Sequence, residues 1–145
     1  MAPEVRLATE RDLSAILNVQ IASPEAAQWD EESYRRALGD PAQQLFVAIE
    51  AAEVAGFLLA RVLPDGAEIL NFAVAPAVRR RGLGAALLDR FLRENPVETW
   101  AEVRESNRAA LELYRSRKLD SIGRRRGYYH SPVEDALLLR RLAPN

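Results

Sequence analysis

Three arginines, Arg79, Arg80 and Arg81, stand directly before Gly82-Leu83-Gly84, and the chain then turns apolar through Ala85, Ala86, Leu87 and Leu88. The apolar spacing from Leu83 to Leu92 predicts an amphipathic helix whose first turn follows that glycine loop. A helix N-terminus carries unpaired backbone N–H groups and about half a positive charge. Together these suit an anion, most often a phosphate. Glycine at 82 and 84 would let such a group approach the backbone closely. Bare cations at a helix start oppose its dipole unless something negative compensates. Read without a ligand, the same run is a solvated loop, and Gly-x-Gly is common by chance. It is not a Walker loop, because the Gly-Lys-Ser/Thr ending is absent. It is not a dinucleotide fingerprint either, since position 87 is Leu.

A second group of chemistry-bearing residues lies in WAEVRESNRAALELYRSRKL. Asn107 and Tyr114 are seven positions apart, two helical turns, and so share a helix face. Glu102 ends the strand before that helix. A carboxylate and a phenol brought together can divide proton removal and proton donation, given burial that tunes the carboxylate. Each residue also has an ordinary structural reading. Glu102 could be a rim carboxylate paired with Arg104 or Arg126, Asn107 a helix cap, and Tyr114 a core aromatic. Glu68, on the strand before Val74, is the rival carboxylate. Tyr128 and Tyr129 read as the lining of a groove or as packing at a hairpin. Arg124, Arg125 and Arg126 face an acidic partner or solvent.

The elements that must position these residues are legible as punctuation. Val5 to Leu7 reads as a short strand. Thr9 with Asp12 reads as a capping arrangement for a helix over ERDLSAILNVQ, which Pro24 ends. Asp30 opens a second helix, EESYRRAL, stopped by Gly39-Asp40-Pro41. QLFVAIEA and VAGFLLARVL form a hairpin around Ala51–Glu53, and Pro64-Asp65-Gly66 turns the chain into AEILNFAV. The helix after Gly82 ends near Asn95-Pro96. VETWAEV is a strand, and SNRAALELYRSRK is a helix capped by Ser106 or Asn107. LDSIGRR and VEDALLLRRL close the chain as a strand pair around GYYHSP. The order βααβββ-αβα-ββ predicts an α+β sandwich on a mixed, largely antiparallel sheet, in one domain over residues 1–145.

Composition removes several classes of function. There is no cysteine, so disulfides, cysteine metal sites and a cysteine nucleophile are excluded. His130 is the single histidine, which excludes a multi-histidine metal cluster; no metal is expected. A formal net charge of −1 gives no global pull toward nucleic acid or an anionic membrane. The start, MAPEVRLATERD, has no signal-peptide apolar region, and no apolar run is long enough to span a bilayer, so a cytoplasmic protein is expected.

The stretch NFAVAPAVRRRGLGAALL, Asn71 to Leu88, resembles the acyl-CoA-binding motif of the GNAT acetyltransferases. That motif is Gln/Arg-x-x-Gly-x-Gly/Ala after a strand ending in Val-x-Pro. Arg79, Gly82 and Gly84 fall on it position for position, with Val74 and Pro76 at the matching distance. The downstream stretch is similar to the bacterial ribosomal-protein-alanine N-acetyltransferases, the RimI branch, whose pattern is close to L-E-V-R-x-S-N-x-x-A-x-x-L-Y. Glu102, Val103, Arg104, Ser106, Asn107, Ala110, Leu113 and Tyr114 match it. The likeness extends from the Trp29-Asp30 helix start to the late RGYY…EDALLL segment.

The resemblance implies the GNAT fold, with a central βαβ unit and helices on both faces of the sheet. It implies acetyl-CoA as cosubstrate and the α-amino group of a protein N-terminus as acceptor, in this branch a ribosomal protein beginning with alanine. The loop Arg79, Arg80, Arg81, Gly82, Leu83, Gly84 and Ala85 would hold the CoA pyrophosphate. Phe72, Ala73 and Val74 would pair by backbone with the pantetheine arm, the Val74 amide lying near the thioester carbonyl. Asn107 would bind CoA, Glu102 would act as general base through water, and Tyr114 as general acid at sulfur. A monomer or weak dimer, with no nucleic acid or membrane as partner, completes the expectation. Other readings stay open: a GNAT enzyme for a small amine, a non-catalytic acyl-CoA-binding domain, or a nucleic-acid module using the arginine clusters. The last is opposed by near-zero charge and the lack of aromatics among the arginines. One departure stands out. Lys118-Leu119 replaces the family's Gly-Phe, so a lysine must take the left-handed conformation at a helix end at some cost.

Overall fold

The computed structural model describes residues 3–145. The element order is the expected one: β1 (Glu4–Leu7), α1 (Leu13–Ile21), α2 (Glu31–Leu38), β2 (Gln43–Glu50), β3 (Glu53–Leu63), β4 (Gly66–Val74), α3 (Leu83–Glu94), β5 (Thr99–Arg104), α4 (Arg108–Ser116), β6 (Asp120–Tyr129) and β7 (Glu134–Arg141). Two boundaries differ from the sequence pattern. The first helix is preceded by a 3₁₀ turn over Glu10–Asp12. Strand β6 runs on through Gly127, Tyr128 and Tyr129, which the pattern assigns to the turn. The Thr9–Asp12 capping arrangement is present, with the Thr9 N–H donating to Asp12 Oδ2 at 2.8 Å.

The seven strands form one sheet in the order β1-β2-β3-β4-β5-β7-β6. All neighbours are antiparallel except β4 and β5, which α3 joins as a parallel crossover. On one face, α3 and α4 bury Leu87, Phe91, Leu111 and Tyr114 against Leu58, Ile69 and Val103. On the other face, α1 and α2 bury Leu13, Ile16 and Tyr34 against Val47, Phe57 and Leu59. That second core draws on no buried residue of β5, β6 or β7, so the far half of the sheet is open on this side.

Two irregularities shape the middle of the sheet. The parallel pairing of β4 with β5 runs only from Ala67↔Thr99 to Ile69↔Ala101. Beyond it the two strands part, leaving a gap bordered by Leu70–Val74 and Glu102–Arg104. At the same level β4 carries a bulge: Leu59 faces Asn71 and Ala60 faces Ile69, with Leu70 extra. The extra residue reverses the alternation of side chains. Ala67 and Ile69 join the α3/α4 core before it; after it Phe72 and Val74 point that way, and Asn71 and Ala73 point to α1 and α2.

The departure at Lys118 is accommodated. Its φ is +68°, the left-handed value a glycine would take. The Lys118 N–H donates to Arg115 O at 3.0 Å and the Leu119 N–H to Tyr114 O at 2.9 Å, a Schellman ending for α4. Leu119 is fully buried in the α3/α4 core. The same ending holds the backbone of Tyr114.

Candidate active site

Helix α3 starts without a cap. Gly82, at φ +82°, is its N-cap residue and offers no side chain, and the first turn contains no acidic residue. The Ala86 N–H donates to Gly82 O at 3.0 Å, so the free donors are those of Leu83, Gly84 and Ala85. Gly82 is favoured by its backbone angle and not by crowding, since a Cβ there would meet nothing within 4 Å. Gly84 serves packing: a Cβ there would touch Leu113 at 3.4 Å and Phe72 and Val74 at 3.6 Å. It lets the helix start lie close to the strand and to α4. Leu83 is buried, so only its amide faces outward. Arg80 also holds a positive φ, +70°, in the approach to the helix.

The three arginines have separated. Arg79 turns away from the loop. Its Nε donates to Val74 O at 3.0 Å, and its guanidinium pairs with Glu25 and reaches Ser23 Oγ at 3.4 Å. Arg81 reaches Glu50 at 3.2 Å. Arg80 has no ion pair among the described residues and stands two residues before Gly82 in the chain.

The β4 edge follows from its pairing. The Ala75 N–H donates to Ala55 O at 2.8 Å, which makes Gly56↔Val74 a pair whose own N–H and C=O groups point away from each other. Val74 and, two residues back, Phe72 therefore turn their backbone groups toward the gap. Ala73, grouped with them by the sequence motif, turns its backbone toward β3 and its side chain into the α1/α2 core. The Phe72 ring meets Tyr114 edge-on, centroids 6.0 Å apart.

Alternation along β5 sends Ala101 and Val103 to the α3/α4 core and Trp100, Glu102 and Arg104 to the open face. Glu102 and Tyr114 thus lie on opposite faces of the sheet, at the mouth of the gap. Burial, and secondarily the neighbouring Tyr129, raise the Tyr114 hydroxyl above the usual phenol range, so it stays protonated at neutral pH. Burial first and the Glu102 charge second push Tyr129 up to about 12. Tyr129 is therefore within electrostatic reach of both. Arg104 fixes it, lying 4.4 Å over its ring centroid while bonding Glu134, Pro132 O and His130 O at 3.2 Å each. Sequence reasoning missed this role for Arg104. The signal was its position on β5, two residues after Glu102 and on the same face.

Glu102 is paired with neither Arg104 nor Arg126. Its Oε1 lies 3.5 Å from Arg125 of β6, whose guanidinium also covers Tyr128 at 5.4 Å. Its Oε2 is buried without a hydrogen-bond partner. A carboxylate oxygen in that state lacks a donor, which an acceptor amine or a bridging water would supply. A groove of about 470 Å³ opens at this point along β5, lined by Glu102, Trp100, Glu68, Glu98, Arg61 and Arg125 among others. Glu68 shares the groove but sits in the paired part of β4, opposite Trp100, with Arg61 4.0 Å away. Its side chain is 47% exposed against 22% for Glu102, so Glu102 is the better shielded carboxylate and the one at the gap.

Asn107 caps α4, its Oδ1 accepting from the Ala110 N–H at 3.2 Å. The cap uses only that oxygen and leaves the amide nitrogen over. Of the remaining arginines, Arg124 is held by Glu105 at 2.7 Å and Asp135 at 2.8 Å. Among the described residues no group of His, Cys, Asp and Glu is arranged to hold a metal, and no helix is long and apolar enough to cross a membrane.

Comparisons with known proteins show which family and fold the chain shares. The pattern of the acetyltransferase (GNAT) family matches residues 11–118. The ribosomal protein bS18-alanine N-acetyltransferase of Escherichia coli is 32% identical over 134 residues, 88% of this chain and 89% of that protein. The N-alpha-acetyltransferase RimI of Mycobacterium tuberculosis is 34% identical over 120 residues, 78% of this chain and 75% of its own. The crystal structure of the Escherichia coli ribosomal-protein-S18-alanine N-acetyltransferase superposes with a TM-score of 0.87 at 28% identity, covering 99% of this chain and 96% of that one.

Proposed function

The chain belongs to the acetyltransferase (GNAT) family, and from that premise we propose that it transfers an acetyl group from acetyl-CoA to the α-amino group of a protein N-terminus. A ribosomal protein beginning with alanine is the first acceptor to test, because the Escherichia coli relative is named for one. The observation that carries the reading is the gap itself. Free amides and a protonated phenol stand on one side of the sheet, a carboxylate with one buried oxygen left without a hydrogen-bond partner on the other, and between them the two strands are unpaired beyond Ile69 and Ala101.

When bound, acetyl-CoA supplies an acetyl group activated as a thioester. The residues fit it. The Leu83, Gly84 and Ala85 amides and the charge of Arg80 suit a diphosphate. Backbone groups of Phe72 and Val74 suit an extended amide arm, and the Asn107 amide nitrogen is left over by the α4 cap. The Val74 N–H, which turns toward the gap, would stabilise charge developing on the carbonyl oxygen. Glu102, on the acceptor face, removes the ammonium proton through water, and Tyr114 returns a proton to the departing sulfur. Each group acts from the face on which its reactant arrives.

The test is incubation with acetyl-CoA and peptides beginning with Ala or Ser, beside the same peptides with blocked N-termini and a panel of small amines. Mass spectrometry should find one added acetyl on the unblocked peptides alone. Faster transfer to a small amine would reassign the acceptor. Binding of CoA with no transfer to any amine would leave an acyl-CoA-binding domain.

A further inference from the structure

Three polar side chains lie inside the apolar layer between α1–α2 and the sheet: Gln20, Tyr34 and Asn71, with relative exposures of 3%, 0% and 5%. All three are hydrogen-bonded. The Tyr34 hydroxyl donates to Gln20 Oε1 and accepts from Asn71 Nδ2 at 2.8 Å. Gln20 Nε2 donates to Trp29 O at 2.7 Å. Asn71 Nδ2 donates to Ala27 O at 2.8 Å, and its Oδ1 accepts from the Ala27 N–H at 3.1 Å.

Apolar side chains of similar volume would hold this layer at least as well. They could not hold residues 22–30, which connect α1 to α2 without helix or strand. Asn71 grips both the N–H and the C=O of Ala27, as a neighbouring strand would. It faces this segment because the Leu70 bulge reversed the alternation of β4. The strand that presents Phe72 and Val74 to the gap is the same strand that fixes the segment.

A second tie shows where the segment lies. Arg79 joins Ser23 and Glu25 to the Val74 carbonyl, which points into the gap. Residues 23–29 therefore stand at the rim of the gap, on the face that also carries Glu102. Tyr128 and Tyr129 flank Glu102 from the β6 side.

We propose that Asn71, supported by Gln20 and Tyr34, is a positioning residue that fixes residues 23–29 as one wall of the acceptor site, so that it governs acceptor capture and leaves cofactor binding alone. This rests on the proposed function, in which the acceptor arrives on the Glu102 face.

The experiment compares Asn71→Leu and Tyr34→Phe with Ile16→Val, a control in the same layer that contacts the segment through no hydrogen bond. Hydrogen exchange at the Ala27 amide reads the anchoring with no acceptor present. Steady-state kinetics on an N-terminal peptide and calorimetry with CoA read the rest. Asn71→Leu should speed Ala27 exchange and raise the acceptor KM by about tenfold, with kcat and the CoA Kd within about twofold. Tyr34→Phe should shift both in the same direction by less, and it decides the matter if Asn71→Leu does not fold. Ile16→Val should leave the acceptor KM in place. Unchanged Ala27 exchange would overturn the anchoring. Faster exchange with an unchanged KM would remove the segment from the acceptor site, and an equal KM rise in Ile16→Val would reduce the network to a structural one. A wild-type chain that acetylates no N-terminal peptide would sink the proposed function, while Ala27 exchange would still decide the anchoring.

Discussion

Two helix starts in this molecule carry the same backbone dipole and opposite decoration. At α2, Asp30 accepts from the Ser33 N–H at 2.8 Å, Glu31 and Glu32 fill the first turn, and Arg35 and Arg36 fill the last. The chain itself meets every requirement of that helix. At α3 the capping residue is glycine, the first turn has no acid, and three arginines stand ahead of it. Selection for helix stability alone would not leave such an end, since it has neither a side-chain cap nor an acid, and Arg80, unlike Arg79 and Arg81, has no carboxylate partner among the described residues. The α2 end is closed; the α3 end has no cap or acid of its own, and under the proposed function an anion from outside would fill it. The α4 end stands between them: Asn107 caps it with one atom of its amide and keeps the other.

If binding resides at the α3 end and chemistry beyond it, the two must separate on mutation. The largest effect belongs to Glu102→Gln, which should lower kcat by about 10²–10³ with the CoA Kd within about twofold. Glu68→Gln should change kcat by no more than about threefold; the reverse pair of results would reassign the base. Tyr114→Phe keeps the ring against Phe72 and removes the proton donor. It should cost about 10- to 100-fold in kcat, again with CoA affinity intact by calorimetry. Ala85→Glu then tests the comparison directly, by giving α3 the acid that α2 already has. CoA affinity should fall by about 30-fold while the ligand-free Tm holds or rises, because the new charge suits the dipole and repels the diphosphate. Undiminished affinity would break the contrast between the two ends. Asn107→Asp sharpens it: the cap oxygen stays and the amide nitrogen goes, so affinity should drop by about fivefold with little change in Tm.

The element order was readable because punctuation in this chain is strong: Pro64-Asp65-Gly66, Gly39-Asp40-Pro41 and the Thr9–Asp12 box each mark a real boundary. The glycine loop was readable because its backbone requirement, a positive φ at Gly82, is written in the residue type. What escaped depends on contacts between distant segments. The Leu70 bulge has no glycine to announce it, yet it decides which of Phe72, Ala73 and Val74 face the gap. Arg79, grouped by sequence with the phosphate loop, is drawn to Glu25, 54 residues away in the chain. Arg125 at Glu102 and Arg104 at Tyr129 are similar cases, since a run of arginines does not say which one meets a carboxylate. The polar trio Gln20, Tyr34 and Asn71 was hidden for the opposite reason: each residue sits at a position whose helical or strand periodicity reads as core.

The smallest effect is expected at the closed end, and its sign is fixed by the capping bonds. The Asp30 carboxyl lies below the usual carboxylate range because the Ser33 hydroxyl and the Ser33 N–H both donate to it. A folded-state pKa below the unfolded one means that the stabilisation is present above the unfolded pKa and is lost as pH falls through the folded value. Asp30→Ala should therefore lower Tm by about 2–3 °C at neutral pH, with the gap to wild type narrowing below about pH 4. CoA affinity should be the same in both proteins, because the proposed CoA site lies at the α3 end. If Asp30→Ala lost CoA affinity as Ala85→Glu is expected to, the two ends would not be independent. The bare start of α3 would then have to be explained by the packing of Gly84 against Phe72, Val74 and Leu113 alone.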